Sequence, residues 1–181
     1  MDSTRERVID ELLVMRCQEG SREAFDLLVR RWQRRLWQYA RRLTGSSDAA
    51  RDVMQETWIA IIRQIRKLND AAWFAAWVYR IVRNKCADHC RQNSRQRNLV
   101  DGLAERQRAG DGRDAEGPAD AVATALRRLP ADRQELLALK YGADLSIIEI
   151  ALVLGIPAGT VKSRLHNARE QLRRILEGDE S

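Results

Sequence analysis

The stretch from Leu145 to Arg174, LSIIEIALVLGIPAGTVKSRLHNAREQLRR, restricts the fold more tightly than any other part of the chain. Ser146 followed three residues later by Glu149 is a capping-box pair, so a helix begins just after Ser146. Ile150, Ala151 and Leu154 supply its apolar face. Gly155 can take the positive φ of a helix stop, and Pro157 prevents the same helix from continuing. A second helix runs from about Ala158, with Val161, Leu165, Ala168, Leu172 and Ile175 spaced alternately by four and three. Two short helices around a Gly-Ile-Pro turn make a helix-turn-helix.

The opposite face of the second helix carries the chemistry. At 100° per residue, Gly159, Lys162, Ser163, His166, Asn167 and Arg173 fall away from the apolar stripe. These are small, hydrogen-bonding and cationic groups suited to base edges and phosphates. Arg164 and Arg169 sit on the flanks, within reach of phosphates on either side of a major groove. An ordinary amphipathic helix also has a solvated basic face. The capped first helix, the turn and the second stripe together favour the DNA-reading alternative.

Charge is distributed unevenly over the 181 residues. Residues 1–95 are net +7, residues 96–119 net −1 and residues 120–181 neutral. A basic first half favours an acidic partner, of which nucleic acid is the commonest. No stretch approaches eighteen uninterrupted apolar residues, so no membrane insertion is expected. The charged start, MDSTRERVIDELL, lacks a signal-peptide core. Three cysteines (Cys17, Cys86 and Cys90) form no even disulfide framework, and a cytoplasmic location is expected.

An all-α architecture is expected, because no β-type alternation of useful length appears. From Asp10 to about Arg91 the periodicity predicts roughly four helices. Their apolar positions are Leu12, Leu13 and Cys17; Phe25, Leu28, Val29, Trp32, Leu36, Ala40 and Leu43; Val53, Ile59, Ile62 and Ile65; and Phe74, Trp77, Val78, Ile81 and Val82. Thr44–Ser47 is read as a stop and Lys67–Asp70 as a short polar connection. Residues 94–119 are charged and punctuated by glycines. They read as a linker, with transient helix around Leu103 to Gln107 and a coil span of roughly 25–30 Å. The expected division is 8–95, a linker at 96–119, and a second domain at 120–177.

The two halves together resemble a known family. LRRLPADRQELLALKYGADLSIIEIALVLGIPAGTVKSRLHNAREQLRR is similar to the −35-reading domain (region 4) of bacterial RNA polymerase sigma factors. EGSREAFDLLVRRW, DAARDVMQETW and FAAWVYRIVRNKCADHCRQNSR are similar to their −10-reading domain (region 2). The order and the short linker resemble the extracytoplasmic-function, or group IV, branch. The likeness covers about residues 11–95 and 122–176.

That resemblance implies a role for each matched position. Asp52, Gln55 and Glu56, at i, i+3 and i+4, would dock on the β′ clamp of core polymerase. Their neighbours Val53 and Ile59 are expected in the core. Leu68, Asn69, Asp70 and Ala71 map to the loop that accepts a flipped −10 base, an extrusion that must offset a few kcal/mol of lost stacking. The family more often has a Phe-Arg-Gly-Asp type of run there, so the base read is not carried over. Arg80, Arg83 and Asn84 would contact the −10 strand, with Lys85 and Arg91 as further cations. Trp77 is expected in the core, while Trp73 is open between core and base stacking. Thr160, Lys162, Ser163, Arg164, His166 and Asn167 would meet −35 DNA, with Thr160 read equally as a phosphate donor or a local cap. Asn167 stands where many relatives carry Arg, so the −35 preference cannot be copied.

The expected partners are core RNA polymerase (β′ clamp and β flap), promoter DNA and an anti-sigma factor. No cofactor, metal or catalytic residue is assigned, and the chain is expected not to be an enzyme. Cys86, His89 and Cys90 fall at i, i+3 and i+4, which admits a metal or redox role, yet buried free Cys more often acts as a small hydrophobe. The rival reading is a stand-alone helix-turn-helix regulator. As a small dimer it would need an apolar heptad seam outside the core, and none is evident from the sequence.

Overall fold

The computed structural model describes residues 2–100 and 118–178, which fall into two compact units within 1–109 and 110–181. All regular structure among the described residues is helical. The first unit holds α1 (Asp2–Gln18), α2 (Arg22–Thr44), α3 (Ser47–Gln64) and α4 (Phe74–Val100). The second holds α5 (Pro118–Arg128), α6 (Ala131–Leu137), α7 (Ile147–Leu154) and α8 (Ala158–Glu177). Most of the expected linker lies outside the described residues, as does the helix expected at Leu103 to Gln107. Helix α4 nevertheless runs on to Val100, and α5 begins at Pro118, so helix enters the expected linker from both sides.

Helix α2 organises the first unit. Ser21 accepts a hydrogen bond from the Ala24 amide to start it, and Gly45 ends it in the left-handed region at φ 71°. One residue later Ser46 caps α3 through the Ala49 amide, so Gly45 and Ser46 together make a tight antiparallel corner. Leu28, Trp32, Leu36 and Ala40 are buried along one face of α2, against α1, α3 and α4. Trp32, Phe74, Tyr79 and Tyr39 meet edge to face at 5.1–6.2 Å, geometry worth about 0.5–1.5 kcal/mol per pair beyond area burial.

Helix α1 differs from the sequence expectation. It buries Asp10, Val14 and Cys17, whereas Leu12 is 56% exposed. Asp10 accepts from Arg31 Nε at 2.7 Å and Glu6 from Arg35 at 2.8 Å, so two ion pairs help fix the α1 register on α2. With those contacts satisfied inside, Val8, Leu12 and Met15 face outward at steps of four and three. That stripe is a short apolar seam of the kind the sequence reading did not find.

In the second unit, α5, α6 and α7 each pack on α8. Leu129, Leu136, Leu139, Leu145, Ile150, Val153, Val161, Leu165 and Ala168 form its core. Arg133 donates to the Gln171 side chain, tying α6 to α8. Helix α6 widens into a π-type turn over Ala138–Gly142, closed by the Ala143 amide on the Ala138 carbonyl at 2.9 Å. Asp144 then adopts φ 54° and delivers Leu145 into the core.

Candidate nucleic-acid interface

The helix-turn-helix forms where its capping and turn residues place it. Ser146 accepts from the Glu149 amide at 3.2 Å, and the Glu149 carboxylate accepts from the Ser146 amide at 2.7 Å. Gly155 takes φ 68°, and its amide closes on the Ala151 carbonyl at 2.8 Å. Helix α7 seats Ile150 and Val153 most deeply, with Ala151 and Leu154 only half-buried. Ile148 and Leu152, one turn apart, point outward at 60% and 44% exposure.

Helix α8 starts behind Pro157, which makes no side-chain cap. Its first acceptor, the Pro157 carbonyl, is met by the Thr160 and Val161 amides. No side chain therefore competes for the first amides of α8, which keep the polarity that favours a phosphate. Thr160 does not act as a cap, and its carbonyl accepts from the Ser163 hydroxyl at 3.0 Å. Lys162, Ser163, His166 and Asn167 are exposed on the side away from buried Val161, Leu165 and Ala168, and Arg164 is exposed on the flank. Lys162, Arg164, His166 and Asn167 make no hydrogen bond or ion pair among the described residues. Arg173 is different: its guanidinium is held by Glu170 at 3.3 Å and Glu177 at 3.1 Å. Unpaired polar and cationic side chains thus line the first turns of α8, and Arg169 and Arg174 continue the exposed cations along it.

In the first unit the connection before α4 is anchored from behind. Gln18 Nε2 donates to the Ile65 carbonyl at 3.0 Å and to the Leu68 carbonyl at 2.7 Å. Gln18 was not singled out by sequence, because a polar residue at the end of a helix resembles any solvated one. Asp70 accepts from the Ala72 amide at 2.9 Å and so caps the 3-10 turn Ala71–Trp73. Leu68 and Ala71 are half-buried, while Asn69 stands exposed at the tip. Trp73 is 38% exposed beside this loop, whereas Tyr79 is buried and Trp77 lies 6.0 Å from Phe74.

Along α4, Arg80, Asn84 and Arg91 share one exposed face, and Arg83 is half-buried next to it. Arg91 also bonds Asp88 at 3.1 Å. Lys85 departs from the sequence expectation. Its ammonium lies 2.9 Å from Glu56 on α3, so it faces α3 and not the Arg80–Asn84 side.

Asp52, Gln55 and Glu56 are exposed on α3, as their spacing requires. Val53 is core, but Ile59 is not: Ile59 and Ile62 are 48% and 57% exposed and extend the same outer face. The i, i+3, i+4, i+7 series 52, 55, 56, 59 contained this signal. The apolar character of isoleucine argued against it.

The Cys86–His89–Cys90 run lies on one side of α4 but in unlike surroundings. Cys86 is buried with Sγ 4.0 Å from the Ala40 carbonyl, Cys90 is exposed, and the His89 ring bonds Asn93 at 3.0 Å. Cys17 is buried too, and desolvation pushes its thiol up to about 11, which makes it a poor ligand and nucleophile at neutral pH. Among the described residues no three His, Cys, Asp or Glu side chains converge as metal ligands. Nor is any described helix long and apolar enough to cross a membrane.

Comparison with known proteins covers most of the chain. The family model of sigma-70 region 2 matches residues 28–96, and that of sigma-70 region 4 matches residues 119–172. RNA polymerase sigma-H factor of Pseudomonas aeruginosa is 32% identical, over 93% of this chain and 94% of that protein. ECF RNA polymerase sigma-E factor of Haemophilus influenzae is 31% identical, over 92% and 95%. Among solved structures, CnrH in complex with the cytosolic domain of CnrY superposes with a TM-score of 0.67 at 26% identity, over 95% of this chain and 99% of that one. The sigma factor RpoE in complex with the anti-sigma factor NepR from Bartonella quintana gives 0.69 at 24% identity, over 86% and 98%, a likeness of fold.

Proposed function

The chain belongs to the extracytoplasmic-function branch of the sigma-70 family, and from that premise we propose how its two units act on a promoter. It is a transcription initiation factor that binds core RNA polymerase and directs it to −10 and −35 elements. One observation carries the assignment of work: each unit presents exposed polar and cationic groups on a face its own core does not use.

The second unit lays the start of α8 in the major groove. Lys162, His166 and Asn167 reach base edges, while Thr160, Ser163 and Arg164 hold phosphates. The first unit takes the melted −10 strand along Arg80, Arg83 and Asn84. Leu68, Asn69, Asp70 and Ala71 frame the pocket for an extruded base. Asn69 makes the hydrogen bonds there, because Asp70 already caps the turn beneath it. Polymerisation remains with the core enzyme, so no catalytic residue is required of this chain. Its place of action is the cytoplasm, with the polymerase.

Core polymerase contacts both units. Asp52, Gln55 and Glu56 meet the β′ clamp, with Ile59 and Ile62 as an apolar centre flanked by polar groups. Glu56 must release or share Lys85 on docking. The outward Ile148 and Leu152 of α7 are the corresponding surface for the β flap. An anti-sigma factor that covers either surface blocks assembly. This fits the company in which the RpoE-type structure was solved, bound to an anti-sigma factor.

Run-off transcription with core polymerase on a promoter library, with and without this protein, tests the reading. Start sites that depend on the protein are expected. None, together with no binding to core, would return the assignment to a stand-alone regulator, for which the Val8–Leu12–Met15 stripe offers a dimer seam.

A further inference from the structure

Between residues 27 and 47, α2 and its exit carry six arginines and no acidic residue. The arginines are not equivalent. Arg31 and Arg35 are bound to Asp10 and Glu6 of α1. Arg30 and Arg34 make no hydrogen bond or ion pair among the described residues, although Asp26 and Glu23 lie only a turn or two away on the same helix. Arg30, Arg34, Trp37 and Arg41 follow at steps of four, three and four, on the face opposite buried Leu28, Trp32 and Leu36. Arg30, Gln33, Arg34 and Trp37 line an open groove there, and the Arg41 guanidinium lies 5.7 Å from the Trp37 ring centroid. From Arg30 to Arg41 this face rises roughly 16 Å along the helix, with Trp37 as its one apolar group.

We propose that this face of α2 binds an unpaired nucleic-acid strand, with Arg30 and Arg34 on successive phosphates and a base packed against the Trp37–Arg41 pair. Charge complementarity calls for a polyanion. The indole narrows the choice, because it can stack only on a base free of its own duplex neighbours. An acidic protein segment would want a run of apolar anchor sites beside the cations, and only Leu27, one turn before Arg30, joins Trp37 there. The groove belongs to a different helix from the Leu68–Ala71 loop and the α4 face. It therefore adds a second track for the opened DNA. The inference rests on the reading that the chain works on opened promoters.

The test uses holoenzyme reconstituted from core polymerase and the full chain, on promoter DNA with a preformed unpaired bubble. A photo-crosslinking amino acid placed at Gln33 is expected to label the unpaired strand. The Arg30→Ala/Arg34→Ala variant should lower the slope of log affinity against log salt by about 1.4. Trp37→Ala should weaken binding about 5- to 150-fold with the slope unchanged, and Trp37→Phe should retain most of it. The same variants of the full chain are compared on fluorescein-labelled dT15 by anisotropy. Crosslinks confined to protein, or salt slopes indistinguishable from the parent in both assays, overturn the proposal. If start sites still depend on the protein while those results are seen, the α2 track alone has failed and the initiation reading stands.

Discussion

At the residue scale, the first turns of α8 separate groups that select sequence from groups that only hold. Asn167 and His166 are uncharged or weakly basic and unpaired, which suits recognition of base edges, and an Asn can pair bidentately with adenine. Lys162 brings a mobile charge that can serve either guanine or phosphate. Asn167→Ala is expected to relax base preference at one −35 position, by about 1–3 kcal/mol of discrimination. Arg164→Ala, by contrast, should weaken all sequences alike and reduce the salt slope by about one. Competitive binding of holoenzyme to a randomised −35 library, measured at two salt concentrations, distinguishes the two. Equal loss across all sequences for both variants would contradict the division. Sequence reasoning located this face because a 3.6-residue period assigns inside and outside at once. Whether an exposed cation is already engaged was not legible from spacing alone: Arg173 is bound by Glu170 and Glu177, and Lys85 by Glu56.

At the element scale, the helix-turn-helix depends on two short-range devices, and both were legible. The Ser146–Glu149 box satisfies two helix-start amides, and Gly155 supplies a backbone geometry that L side chains resist. Nothing lies within 4 Å of a Cβ built on Gly155, so a substitution there meets conformational strain and not a clash. Gly155→Ala and Ser146→Ala should each destabilise the second unit by about 1 kcal/mol, the former through φ and the latter through the lost cap. Urea denaturation followed by circular dichroism reads this, and an unchanged transition for both would refute the role of the turn. Outward-facing apolar residues were harder to see. Ile59, Ile62 and Leu12 fit the apolar stripes of the sequence yet face outward, and only the packing of neighbouring helices decides their direction. In α1 the decision falls to ion pairs: Asp10, buried by Arg31, turns Val14 inward and Leu12 outward.

At the scale of the whole molecule, the two units carry different reporters and different titrating groups. All five tryptophans (Trp32, Trp37, Trp58, Trp73 and Trp77) belong to the first unit, so tryptophan emission follows that unit alone, while helical circular dichroism follows both. The first unit also holds two groups, Cys17 and Tyr79, whose acidity burial suppresses. The Cys17 thiol is pushed up to about 11, and the Tyr79 phenol up to about 12, against the opposing pull of Arg35 and Arg42. Each is protonated in the folded unit at a pH where the unfolded chain has begun to ionise. The folded state then binds more protons, and stability falls as pH rises. The contribution of Cys17 is complete below its ordinary value near 9, that of Tyr79 below 10, and both are lost as pH climbs to about 11 and about 12. Glu6 acts with the opposite sign. Its bond to Arg35 holds the carboxyl below its ordinary value, a contribution present above that value and lost on acidification. The tryptophan-detected urea midpoint should therefore drop between pH 8 and pH 10.5 for the parent chain. Tyr79→Phe combined with Cys17→Ala lowers overall stability but should make that dependence shallower, because neither replacement can ionise. A parent midpoint that stays level across this interval, or a variant that declines as steeply, would show that the aromatic core around Trp32 and Tyr39 does not control the alkaline limit of the first unit.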